Sequence, residues 1–151
     1  MSKKIVLDFI EEINHHDVDA IYDLMTADHK FIDAHGNEVS GRDLMKTGWA
    51  GYFSIFPDYL IEITDMFLKP APVAIQTGKA KLKVKLFYNR NDYIVAFGFA
   101  SGTYKGMETE DNKNYFRIPA CWKAIVEDGK VKLWQVYCDT KIPYDIIENY
   151  K

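Results

Sequence analysis

The sequence predicts an α+β fold in which three helices come first and a curved antiparallel sheet follows. Apolar residues recur at helical spacing as far as Phe56 and alternate in strand fashion from Tyr59 onward. A tight-turn signal, Glu127-Asp128-Gly129, joins the last two alternating runs into a hairpin. The 151 residues contain no repeat, low-complexity tract or linker, so a single domain is expected over 1–151.

Residues 3–15 read as a helix because Val6, Phe9, Ile10 and Ile13 share one face. Asn14-His15-His16 interrupts it, and Asp17 is placed to cap a second helix with Val18, Ile21, Tyr22 and Met25 as its apolar stripe. A short strand, 30–33, and a turn, 35–37, follow. Ser40 and Asp43 have the spacing of a capping box for a third helix, which carries Leu44, Met45, Trp49, Tyr52, Phe53 and Phe56 and stops at Pro57. Tyr59, Ile61 and Ile63 open the first long strand. The stretch from about 69 to 91 contains Pro70-Ala71-Pro72, a second alternating run (80–88) and a turn signal, and reads as an added hairpin. Residues 93–104 form a long strand in which Gly98 and Gly102 are candidate bends. Strands 115–126 and 130–139 make the final hairpin, and Pro143 opens a short C-terminal helix through Ile147.

Composition narrows the function classes. Apolar residues make up 48% and aromatics 15%, enough for a packed core, and the net charge is −3. That balance disfavours nucleic acid as a partner. Lys79, Lys81, Lys83 and Lys85 alternate with apolar residues and read as the wet face of a strand. No signal peptide or membrane-length apolar run is recognisable, so a cytoplasmic protein that makes no membrane contact is expected. The two cysteines, Cys121 and Cys138, fall out of register across the hairpin. No paired Cys or His spacing suggests zinc, so neither metal nor cofactor is expected.

With Asp128-Gly129 as a two-residue turn, uninterrupted pairing sets Trp122 opposite Gln135 and Ala120 opposite Tyr137. Trp122, Gln135, Tyr137 and Asp139 then share a face, an apolar wall with a few polar groups that suits a ligand pocket. Trp134, Val136 and Cys138 fall on the opposite, outer face, where they suggest a homodimer interface.

The order of elements, together with Ile13-Asn14-His15-His16-Asp17-Val18-Asp19-Ala20-Ile21, Phe31-Ile32-Asp33, Gly41, Gly129-Lys130-Val131 and Tyr137-Cys138-Asp139, resembles the nuclear transport factor 2-like superfamily. Within it the chain is most similar to the SnoaL-like branch related to polyketide cyclases and ketosteroid isomerase. The resemblance implies a cone-shaped α+β roll with a pocket for a small apolar ligand, and often a homodimer. It does not imply one activity. By position it puts Asp33 at the place of the isomerase general base and Asp139 at that of the cyclase acid/base. The isomerase's two hydrogen-bond donors fall near Phe9 and Ala120, which cannot donate, so that reaction is not expected. The Asp-Arg-Asp set of epoxide hydrolases in this fold would need Arg117 beside Asp139, and strand parity opposes it.

Each candidate has a plainer reading. Asp33 can simply open the turn with His35 and Gly36, and Asp139 can end its strand or pair with Lys141. His35 is a candidate proton-transfer partner of Asp33 or a solvated loop residue. His15 and His16 suit a helix end, and His29 reads as surface. Trp49, Tyr52 and Phe53 join Trp122 and Gln135 as candidate substrate-binding walls, or serve as core. The expected function is cofactor-free acid/base chemistry, of isomerase or cyclase type, on an apolar oxygenated cyclic substrate. Asp33, Asp139, His35 and Tyr137 would carry it. The alternative is a non-catalytic binding or association module of the same fold.

Overall fold

The computed structural model describes residues 1–69, 92–107 and 109–151. The expected strand 80–88 and the basic alternation around it lie outside these residues.

Helix α1 (Ser2–His15) buries Val6, Phe9, Ile10 and Ile13 and ends at His16, which turns left-handed at φ 57°. Asp17 caps α2 (Val18–Asp23) as expected, its carboxylate accepting the Ala20 N–H at 2.9 Å. Met25 belongs to strand β1 (Met25–Ile32), not to the helical stripe, and is fully buried. A short strand β2 (Glu38–Ser40), invisible in the sequence pattern, folds back onto β1. Because Ser40 is used by β2, the expected capping box does not form at α3 (Arg42–Ile55). Gly41 is the N-cap, at φ 94°, and Asp43 accepts the Tyr22 hydroxyl at 2.8 Å.

Strands β3 (Leu60–Lys69), β4 (Asp92–Thr103), β5 (Tyr115–Glu127) and β6 (Lys130–Cys138) follow, with a 3-10 turn at Tyr104–Gly106 between β4 and β5, and then α4 (Lys141–Tyr150). Among the described residues the sheet has six strands in the order β2-β1-β6-β5-β4-β3. Its pairs are antiparallel as expected except β1–β6, which is parallel, so the sheet is mixed. Alternation reports which face a side chain takes and carries no information about strand direction.

Gly98 sits where β3 skips a residue between Ile63 and Asp65. A Cβ there would lie 1.8 Å from the Glu62 carbonyl oxygen, so only glycine permits this approach. The sheet's inner face carries Ile94, Ala100, Ile118, Ala120, Trp122, Val131 and Trp134 and packs with α1 and α3 into one core. Phe9 meets Trp134 edge-on at 5.3 Å.

The final hairpin corrects the expected register. Glu127 pairs with Lys130 and Val126 with Val131, but Ile125 then pairs with Leu133. Lys132 is the extra residue of a β-bulge, its amine bridging Glu127 (2.9 Å) and Asp28 (3.4 Å). Beyond it every β6 residue has exchanged faces. Trp122 lies opposite Val136, Cys121 opposite Tyr137, and Ala120 opposite Cys138. Trp134, Val136 and Cys138 therefore face inward, and cannot form the outer interface that uninterrupted pairing suggested.

Candidate functional site

A cavity of about 320 Å³ opens between α3, the inner sheet face and α4. This lies near the lower end of ligand-sized cavities, roughly 300–1,000 Å³. Helix α3 contributes Met45, Gly48, Trp49 and Tyr52 along one side. The sheet contributes Phe31 and Val39 from β1 and β2, Ala100 from β4, Phe116, Ile118 and Trp122 from β5, and Trp134, Val136 and Cys138 from β6. Tyr59 lines it just ahead of β3. Asp33, Ala34, Thr140, Pro143 and Tyr144 complete the lining from the loop after β1 and the start of α4. Among these residues Asp33 is the one carboxylate, and there is no lysine or arginine.

Asp33 is held by its own loop. One carboxylate oxygen accepts the backbone N–H groups of His35 and Asn37, both at 2.9 Å, and the other accepts the Asn37 side-chain amide at 2.9 Å. Partial burial pushes its pKa up, but the hydrogen bonds from Asn37 and His35 together outweigh that and hold it below the usual aspartate value. Asp33 is thus an ionised carboxylate at neutral pH. His35 is exposed. Its Nε2 lies 2.8 Å from the Thr140 hydroxyl, and its ring stacks on Tyr144 at 5.4 Å, tying the Asp33 loop to α4.

The other expected residues divide into two groups. Trp49, Tyr52 and Trp122 line the cavity. Phe53 lies outside the lining, in the core, stacked on Trp49 at 5.5 Å and set against the His16 ring at 4.6 Å. Gln135 and Tyr137 lie on the outer face because of the bulge, and Tyr137 is 48% exposed. Asp139 is exposed, outside the lining, and accepts the Lys141 N–H at 2.9 Å at the start of α4. The two aspartates therefore do not share one site. Arg117 pairs with Glu62 at 3.0 Å and lies over the Phe99 ring at 3.8 Å.

Several lining groups escape the sequence pattern. Tyr59, Trp134, Val136 and Cys138 enter only once the hairpin register and the α3–β3 turn are known. Burial raises the pKa of Tyr52, helped by Cys138 and Tyr144, and raises that of Tyr59 well above its ordinary value, helped by Tyr52 and Cys138. Both tyrosines are therefore neutral hydroxyls throughout the physiological range. Burial also raises the Cys138 thiol, which makes it a poor nucleophile near neutral pH.

His29, expected at the surface, is fully buried against Phe9 at 6.1 Å. The irregularity of β1 between Met25 and Lys30 turns it inward, where its Nδ1 lies 2.7 Å from the Val131 carbonyl oxygen. Burial lowers its pKa, so the ring is neutral. With Nδ1–H donating to Val131, Nε2 is left as an acceptor with no partner among the described residues.

No helix among the described residues is long and apolar enough to cross a membrane. None of their His, Cys, Asp and Glu side chains cluster in a way that could hold a metal ion.

The model of the SnoaL-like domain family matches residues 6–134. Comparison with curated protein sequences finds no match. Among solved structures, the fold is shared with a Shewanella putrefaciens protein assigned to the SnoaL-like polyketide cyclases. The two are 12% identical, with a TM-score of 0.67, covering 97% of this chain and 85% of that one. An LEH-like epoxide hydrolase of M. tuberculosis superposes with a TM-score of 0.65 at 11% identity, over 97% and 88% of the two chains. A Catenulispora acidiphila protein with a ketosteroid isomerase-like fold gives 0.62 at 17% identity, over 88% and 83%.

Proposed function

We propose, for a chain that belongs to the SnoaL-like domain family, that the cavity binds a small cyclic, mainly apolar compound carrying one or two oxygens. The observation that carries this reading is the lining itself. Three tryptophans, three tyrosines and two phenylalanines surround a space with one carboxylate and no cation among the described residues. Such walls stack on rings and offer a phosphate no counter-charge. On the catalytic form of this reading Asp33 accepts a proton from carbon next to a carbonyl, with His35 beside it as the route to solvent. Trp49, Tyr52 and Trp122 hold the ring. Asp139, Tyr137, Gln135 and Phe53 have no part in that step, since none of them lines the cavity.

Two measurements test it. A melting-temperature comparison should show a rise with the bicyclic ketone 1-tetralone and none with AMP or glucose 6-phosphate. The reverse result would refute the ligand class. Deuterium uptake at the carbon next to the carbonyl of 1-tetralone in heavy water reports proton abstraction. The protein should accelerate it and Asp33→Asn should abolish the acceleration. A second reading, a binding module without turnover, draws on the Asp33 hydrogen bonds, since a carboxylate held below its usual pKa is a weak base. Tight 1-tetralone binding with no accelerated exchange would decide for it.

A homodimer through the outer sheet face belongs to the same proposal, now with different residues. Phe67, Phe97 and Tyr137 are about half exposed on that face, Phe67 and Phe97 meeting edge-on at 6.2 Å. The cytoplasm suits the chain, because Cys121 and Cys138 are free thiols.

A further inference from the structure

We infer that Tyr52 and Tyr59 form a two-hydroxyl clamp that reads one neutral carbonyl oxygen of the ring ligand. This rests on the reading that the cavity takes cyclic compounds, and it names the residues that select for the oxygen.

The two tyrosines come from adjoining elements. Tyr52 sits in the last turn of α3, and Tyr59 follows the Phe56-Pro57-Asp58 turn that leads into β3. Their rings meet at right angles, 86°, with centroids 4.9 Å apart, and both line the cavity. The backbone around them is pinned. Phe56 N–H donates to the Tyr52 carbonyl at 2.9 Å, and His16 Nε2 lies 2.8 Å from the Tyr59 carbonyl oxygen. Tyr59 is only 7% exposed.

Neither hydroxyl has a hydrogen-bond partner among the described residues. Neither hydroxyl is among the fully buried side-chain groups left without a partner, so each can offer its proton to an acceptor in the cavity that both tyrosines line. The hydroxyls remain protonated because burial opposes phenolate formation, so both are donors. A carboxylate would also accept from them. It would, however, enter a cavity without a lysine or arginine in its described lining and with the ionised Asp33 in its wall. A neutral carbonyl has no such penalty. Asp33 approaches from the loop after β1 and the tyrosines from the α3–β3 turn. The ligand is therefore gripped at its oxygen by one wall and exposed to the carboxylate on another.

The test uses 1-tetralone and tetralin, which share a skeleton and differ in the carbonyl. Calorimetric titration against the wild type, Tyr52→Phe, Tyr59→Phe and the double variant measures affinity, with the phenyl rings retained as wall. Each single change should weaken 1-tetralone binding roughly 2- to 10-fold and leave tetralin within about twofold, from the worth of one neutral hydrogen bond. Infrared difference spectra of bound 1-tetralone give a readout that a packing role would not move. The carbonyl stretch should lie at lower frequency in the wild type and return toward its apolar-solvent position in the double variant. Equal losses for the two ligands, or an unchanged stretch, would overturn the clamp while leaving the cavity reading intact. Failure of both ligands to bind the wild type would overturn clamp and cavity reading together.

Discussion

Trp134 and Tyr137 stand three residues apart on β6, yet one is 1% exposed in the core and the other is 48% exposed on the outer face. Across the hairpin, Trp122 and Cys121 are divided in the same way. The inner face is interdigitated with α1 and α3, whereas the outer face carries Phe67, Phe97 and Tyr137 without a helix over them among the described residues. Aromatic content alone does not distinguish the two faces of this sheet. The bulge at Lys132 distinguishes them, because it decides which β6 residues point which way.

Truncating one aromatic on each face should have unequal consequences. Trp134→Ala should cost about 3–5 kcal/mol, through lost burial and the cavity left beside Phe9 and Trp122. Urea unfolding monitored by circular dichroism measures it. If Tyr137→Ala cost as much, the two faces would not differ in the way described.

A smaller loss is expected at Gly98, where the sheet bends. Gly98→Ala places a methyl group against the Glu62 carbonyl oxygen, so β3 and β4 must separate. We expect roughly 1–3 kcal/mol, or more if the backbone cannot yield. The same unfolding experiment reads it. A neutral result would mean that the close approach is not maintained in solution.

Acid should weaken the core through His29, the histidine buried there. Its pKa is lowered on folding, so below about pH 6.5 the unfolded chain binds a proton that the folded chain does not. Stability is then unaffected above that pH and falls as pH drops below it. The slope approaches about 1.4 kcal/mol per pH unit until the folded-state pKa is reached. Melting temperatures from pH 7.5 to 5.5 should show this decline, and His29→Gln should flatten its part of it. An unchanged slope in the variant would place the proton uptake elsewhere.

The smallest effect on the folded protomer is expected at the outer face. Phe97→Ser should change protomer stability by less than about 1 kcal/mol. It should nevertheless shift a dimer toward monomer in sedimentation at micromolar concentration. A wild type that is monomeric there would remove the interface altogether.

Helix periodicity, the Asp17 cap, the Pro57 stop and the final hairpin were legible in the sequence because each is a local matter. Spacing, one side chain reaching a nearby N–H, or a ring that cannot donate is enough to specify each of them. Trp49, Tyr52 and Trp122 were legible as wall candidates for the same reason, being apolar residues on recognisable faces. The Ser40 capping box failed because β2 pairing claimed its residue, and a three-residue strand leaves no period to read. Gln135 and Tyr137 were expected on the inner face, and Trp134, Val136 and Cys138 on the outer one, and both assignments were inverted for one shared cause. Glu127-Asp128-Gly129-Lys130 announces the turn, but nothing in the residues after it marks Lys132 as the one to be left unpaired.

The class of fold, the order of the elements other than β2, and an aromatic-rich interior follow from period and composition alone. Long-range packing settled which face of β6 turns to the core, and that Asp33 lines the cavity while Asp139 lies outside it and accepts the Lys141 N–H. It alone brought Tyr52 and Tyr59 together. A strand's side chains repeat with period two, so one unpaired residue inverts everything beyond it. That inversion is favoured by the packing of Trp134 between Phe9 and Trp122, contacts between residues far apart in the chain that no local pattern encodes.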